Sequence, residues 1–214
     1  METFEEVISL ITYYFSFIYP LLYLKGFVSN GKAFKIFTIY LLVISVIQLF
    51  SKLVIKVWEL DSNLFLSHYY FIFQFVLLSL FYVQLLRFKW IYYVLGLVMV
   101  FLAYQYINDP SLYFRYNAIG MFLTHVLIVA YALVYLYKSL DGKKEFTIVN
   151  IGIFIYLLSS SLIFASGNLV FNIDVPESFS ALLIYINKFL FFVFQILIFT
   201  EWYRNYRKRK VIPK

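Results

Sequence analysis

Lys188 lies in the stretch ALLIYINKFLFFVFQILIFT, residues 181–200, which holds no other charged side chain. An ammonium in such surroundings needs a carboxylate, a cluster of acceptors or the loss of its proton, so its chemistry is binding, gating or proton linkage. The expected last span runs over 179–203, and Lys188 is nine residues into it, roughly 14 Å down at 1.5 Å per residue. Gln48, Gln74, His125 and the Ser159-Ser160-Ser161 run fall at comparable depths in other apolar segments, and Asn187 is the immediate neighbour. Together they are candidates for a ligand-binding or gating layer. No Asp or Glu occupies the middle of any span, which leaves Glu5 and Glu6, near the outer end of the first, as candidate counter-ions. Lys52, His68, Gln105 and Asn117 lie nearer the outer mouth, and the opposite half offers only Asn150, Gln195 and the terminal Glu201. The competing reading is structural: amides, hydroxyls and imidazoles in membrane helices often bond a neighbouring helix, at about 0.6 kcal/mol on average.

Other chemistries find little support. The chain has no cysteine, which removes disulfides, thiolate metal sites and cysteine nucleophiles. Its two histidines stand on separate segments with no His-Glu-x-x-His pattern, so no metal or other cofactor is expected. A retinal-type Schiff base at Lys188 wants an acid in the third span, where Gln74 and His68 stand instead. Ser166-Gly167 suits a helix end better than a nucleophile elbow. Adjacent Glu5 and Glu6 lack the arginine and paired histidines of glutamate-dependent membrane endopeptidases. No catalytic residue is assigned, and binding or signalling is favoured over an enzyme.

The elements that must position these residues are membrane helices. Of the 214 residues 64% are apolar, 23% aromatic and 14% charged, against about 45–50% apolar and about 25% charged in a soluble domain. A mean hydropathy of +0.85 requires a greasy outer surface as well as a greasy core. Continuous apolar runs of about twenty residues exclude the alternating ten-residue pattern of a transmembrane barrel. Seven spans are expected, at 4–24, 34–56, 64–86, 90–107, 114–137, 146–166 and 179–203, followed by a basic tail over 204–214. Asn108-Asp109-Pro110 closes the fourth span, Gly167-Asn168 is taken as the end of the sixth, and Pro20 is expected to kink the first. Glu2, Glu5 and Glu6 stand where a cleavable leader would be basic, so the first helix is expected to stay.

Net charge is +7, and its distribution sets the orientation. One face receives Lys25, Lys32, Lys35, Arg87, Lys89, Lys138, Lys143, Lys144 and the basic tail, while the other has only Lys52, Lys56 and Arg115. The positive-inside rule places the N-terminus outside and the C-terminus in the cytoplasm. The basic tail suits an anchor against anionic lipid, and stacking or base-reading modules for nucleic acid are absent.

Asn150-Ile151-Gly152, Ile155-Tyr156, the Ser159-Ser160-Ser161 run, Phe164, Gly167-Asn168, Ile186-Asn187 and the Phe-Gln-Ile-Leu-Ile-Phe ending form a loose pattern over the last two helices. In this quarter of its length the chain resembles a group of small uncharacterised bacterial seven-span proteins, often encoded beside sensor histidine kinases and response regulators. The resemblance implies a bacterial cytoplasmic membrane and a signalling context; it carries no residue role, and Lys188 stands outside its pattern. The expected function is thus a sensory or regulatory membrane component with an outward-facing polar pocket. It would detect a small molecule or membrane state and signal to a cytoplasmic partner such as a histidine kinase. The second expectation is a small-solute transporter or channel with Lys188 in its pathway.

Overall fold

The computed structural model describes residues 2–58, 63, 65–114, 117–142, 144–171 and 177–207, without the side chains of 2–6, 56, 164–171 and 177–180. The described residues form seven α-helices: α1 Glu2–Leu24, α2 Lys32–Lys56, α3 Phe65–Leu86, α4 Trp90–Asn108, α5 Ala118–Ser139, α6 Thr147–Phe171 and α7 Glu177–Asn205. A short 3-10 turn, Pro110–Tyr113, precedes α5. In hydrocarbon every backbone N–H and C=O must be paired within the segment, and continuous helix does this at each residue. Six of the helices are long and apolar enough to cross a membrane; in α6 the described apolar run is Thr147–Ile163. The molecule is a helical membrane protein, and large apolar side chains accordingly face outward, as at Val7, Leu10, Leu97, Val100 and Ile107.

Two boundaries differ from expectation by four residues or more. Gly167-Asn168 does not end α6, which continues to Phe171. A glycine inside a helix costs only about 1 kcal/mol, less than leaving backbone groups unpaired in an apolar medium, so a turn signal calibrated on soluble proteins fails there. The fifth helix begins at Ala118 rather than at residue 114, because Asn117 caps it: its side-chain Oδ1 accepts the Gly120 N–H at 2.8 Å and its carbonyl accepts the Met121 N–H at 3.0 Å. Residues 110–114 instead make the turn that Asp109 nucleates by accepting the Ser111 N–H at 3.1 Å. Pro20 sits inside α1, which continues to Leu24.

The chain divides into two compact units. Unit 1 comprises residues 1–29 and 125–214, and unit 2 residues 30–124. In unit 2, α3 packs against α2 and α4, around Phe34, Phe37, Phe71, Phe75, Leu78 and Phe81. In unit 1, α7 packs against α6 on one side and α1 on another, around Tyr19, Tyr23, Tyr131, Phe146, Val149 and Phe194.

Candidate functional site: the α7 seams of unit 1

The antiparallel contact of α6 and α7 is a regular seam. Phe146 meets Glu201 through its N–H. Tyr156 lies 5.4 Å from Phe191 and stacks on Phe194 at 5.5 Å, ring centre to ring centre. A Cβ built on Gly152 would lie 2.6 Å from Phe194, so the helices approach closely at that glycine. These contacts set a register in which α6 positions 146, 149, 153, 156 and 160 lie level with α7 positions 201, 198, 194, 191 and 187. Both series step by three and four, the spacing that keeps one helix face on the seam. Val149, Ile153, Phe194 and Ile198 are buried, which fills the middle layers with apolar side chains. The same register sets Ser160 level with Asn187. The seam therefore turns polar there: Ser160 is 1% exposed, and neither its Oγ nor the Asn187 Oδ1 bonds to a described residue.

On its other face α7 runs parallel to α1. Gln195 Nε2 donates to the Thr12 carbonyl at 3.1 Å, the Tyr23 hydroxyl donates to the Ile198 carbonyl at 3.1 Å, and the Trp202 indole N–H donates to the Leu22 carbonyl at 3.0 Å. Phe15 and Phe199 lie 5.7 Å apart. Position 188 is one heptad before Gln195, and position 5 is one heptad before Thr12. Continued outward, the parallel register places them at one level. This adjacency of α1 and α7 is what a Lys188–Glu5 pairing requires; the side chains of Glu5 and Glu6 lie outside the described ones. Lys188 itself is half-buried, about 16 Å along α7 from Glu177.

The opposite end of the α6–α7 seam is closed by Glu201, to which the sequence alone assigned no role. α6 starts after Phe146, which cannot cap it and adopts a left-handed backbone with φ 62°. Glu201, fully buried on α7, supplies the cap across the seam. Its Oε1 accepts from the Phe146 N–H at 3.0 Å and from Asn205 Nδ2 at 2.5 Å. Its Oε2 accepts the N–H groups of Ile148 at 3.0 Å and Val149 at 3.4 Å. The positive end of the α6 dipole and four donors compensate the charge. Around it, Tyr206 packs 5.4 Å from Phe146 and 6.3 Å from Tyr23, the Tyr135 hydroxyl donates to the Glu145 carbonyl, and Asn150 donates to the Ala132 carbonyl at 2.9 Å. The available signal was a helix start with no capping residue, together with an acid in an apolar segment.

The remaining candidates divide between the units. Gln48, half-buried on α2, and Gln74, buried on α3, belong to unit 2; His125, Ser159, Ser160, Asn187 and Lys188 belong to unit 1. Both amide atoms of Gln74 and both ring nitrogens of His125 are buried without a bond to a described residue. Ser159 is half-buried. His68 is the satisfied histidine: its Nε2 lies 3.0 Å from the Tyr113 carbonyl and its Nδ1 2.7 Å from the Tyr106 hydroxyl. A carbonyl only accepts, so Nε2 carries the proton and Nδ1 accepts from Tyr106. Among the described residues no group of three His, Asp or Glu could hold a metal ion.

The chain matches no family model, no curated protein and no solved structure.

Proposed function

We propose that the protein is a seven-span component of a bacterial cytoplasmic membrane, N-terminus outside, that senses a small ligand or membrane state and signals to a cytoplasmic partner such as a histidine kinase. The ligand sits at the level of Lys188, Asn187 and Ser160, with Lys188 counterbalanced by Glu5. The observation that carries this reading is the change of character along one seam. It is polar at Ser160 and Asn187, apolar and aromatic over the next three layers, and capped by Glu201 where the basic connections emerge. A seam packed in this way between its polar layer and its far end suits a binding event read out by helix movement better than passage of a solute. His125 is a second candidate for a ligand contact in unit 1, and Gln48 and Gln74 are candidates within unit 2. Transport is the alternative, favoured by the half-buried position of Lys188 midway along α7.

Reconstitution into liposomes tests the reading. Osmotic swelling with acetate or glycerol should show no flux above protein-free vesicles, whereas flux abolished by Lys188→Leu would establish transport. Because the chain has no cysteine, single-cysteine variants report topology directly. In intact cells an impermeant maleimide should label Trp58→Cys and Asp109→Cys but not Ser29→Cys or Asp141→Cys.

A further inference from the structure

We propose that Glu201 and the N-terminus of α6 form a latch coupled through the α6–α7 seam to the Ser160–Asn187 layer, so that packing at the polar layer sets the conformation of the connection between α5 and α6. The inference deepens the proposed function by naming how the site is read out, and its ligand-free part stands without that function.

Three observations carry it. First, the cap is supplied by another helix. An ordinary N-cap moves with its own helix, whereas this one holds only while α7 keeps its axial position against α6. The four contacts to Glu201 span 2.5–3.4 Å, and a slide of α7 by one residue's rise, ~1.5 Å, displaces the carboxylate from all three backbone donors at once. Secondly, the capped segment is strained. Phe146 is a buried, bulky residue at φ 62°, a conformation that persists only where surrounding contacts over-determine it. Its N–H on Glu201 and its ring against Tyr206 are among those contacts. Loss of the cap therefore releases the backbone between Glu145 and Val149 instead of merely fraying a turn. Thirdly, the layers between the two ends are close-packed. Tyr156 stacked on Phe194, and Gly152 with no room for a methyl beside Phe194, allow discrete re-packing but little continuous deformation. The Ser160 and Asn187 layer, whose Oγ and Oδ1 bond to no described residue, is where the seam is least committed.

Hydrogen exchange read by mass spectrometry on the full chain in nanodiscs tests the coupling. Glu201→Gln should speed exchange of the Phe146, Ile148 and Val149 amides about tenfold, with the amides of 75–82 in unit 2 unchanged as the control for global destabilisation. Asn187→Leu, about 20 Å along α7, should change exchange at the same three amides at least threefold, and this change should vanish in the Glu201→Gln background. Ser160→Ala serves as the second perturbation where Asn187→Leu lowers expression. Unchanged exchange at 146–149 in both polar-layer variants, or shifts of equal size with and without Glu201, would overturn the latch. Flux in the swelling assay overturns the sensor reading and leaves this measurement untouched.

Discussion

The carboxylate of Glu201 receives the backbone N–H of Phe146 at 3.0 Å across 55 residues of chain, and so a helix near the end of the sequence caps one that precedes it. Removing a buried acceptor costs more than the bond it made, because the donors it leaves behind cannot reach water. Glu201→Ala is expected to lower stability by about 3 kcal/mol, combining the loss of a cap with that of charge-assisted bonds. Glu201→Gln keeps one acceptor and should lose about half as much. Asn205→Ala, which removes only the 2.5 Å contact to Oε1, should cost about 1 kcal/mol. Thermal unfolding in nanodiscs gives the ranking, and Asn205→Ala costing as much as Glu201→Ala would contradict the assignment of the cap to the carboxylate.

His68 ties α3 to α4 and to the turn after it through two bonds of fixed direction, Tyr106 O–H to Nδ1 and Nε2–H to the Tyr113 carbonyl. Tyr106→Phe leaves Nδ1 buried without a donor and should destabilise the protein by about 1–2 kcal/mol. Nitrogen NMR of labelled histidine should show the Nε2–H tautomer in the wild type. Finding the Nδ1–H tautomer instead would reverse the Tyr106 bond and the expected penalty.

Hydropathy made the helices legible almost throughout, since hydrocarbon leaves few backbone solutions and the six long apolar helices follow the apolar runs within a few residues. Local chemistry was less legible where its partner is distant in sequence. Asn117 as a cap could have been seen three residues before Gly120, but the run through Phe114 looked continuous by composition alone. Glu201 could not be weighed from its own neighbours, because its meaning lies in the missing cap at Phe146. Lys188 stood out by its cost in lipid, with Asn187 only as its neighbour, and the register adds that position 187 lies level with Ser160. Gln48 and Gln74 fall in unit 2 and His125 in unit 1 with Lys188, a division made by packing between helices, which hydropathy does not encode.

Gln74 buries both amide atoms on α3 without a bond to a described residue. Replacing an unpaired polar side chain by an apolar one of similar volume removes a desolvation penalty without losing a bond. Gln74→Met is therefore expected to stabilise the protein by about 1 kcal/mol. A loss of stability of that size would assign the amide a bound partner and raise its standing as a ligand contact. The comparison requires the same lipid in both samples, since TM-helix stability responds to bilayer thickness.

Gly152 and Gly96 provide a matched test of how closely α6 and α7 approach. A methyl at Gly152 would sit 2.6 Å from the Phe194 ring and 3.2 Å from Leu197, and Phe194 is itself buried and stacked on Tyr156, so it cannot swing away without opening the seam. Gly152→Ala should cost about 1–3 kcal/mol through overpacking. A methyl at Gly96, on the exposed side of α4, meets nothing within 4 Å. Gly96→Ala should be neutral or stabilising by up to about 1 kcal/mol, from helix propensity alone. In the exchange experiment Gly152→Ala should also speed the amides capped by Glu201, because forcing the two helices apart at the Phe194 layer lengthens the bonds two layers further along the seam. Equal effects of the two substitutions on stability would mean that α6 and α7 are not held at the separation described, and the register built on Tyr156, Phe191 and Phe194 would fall with it.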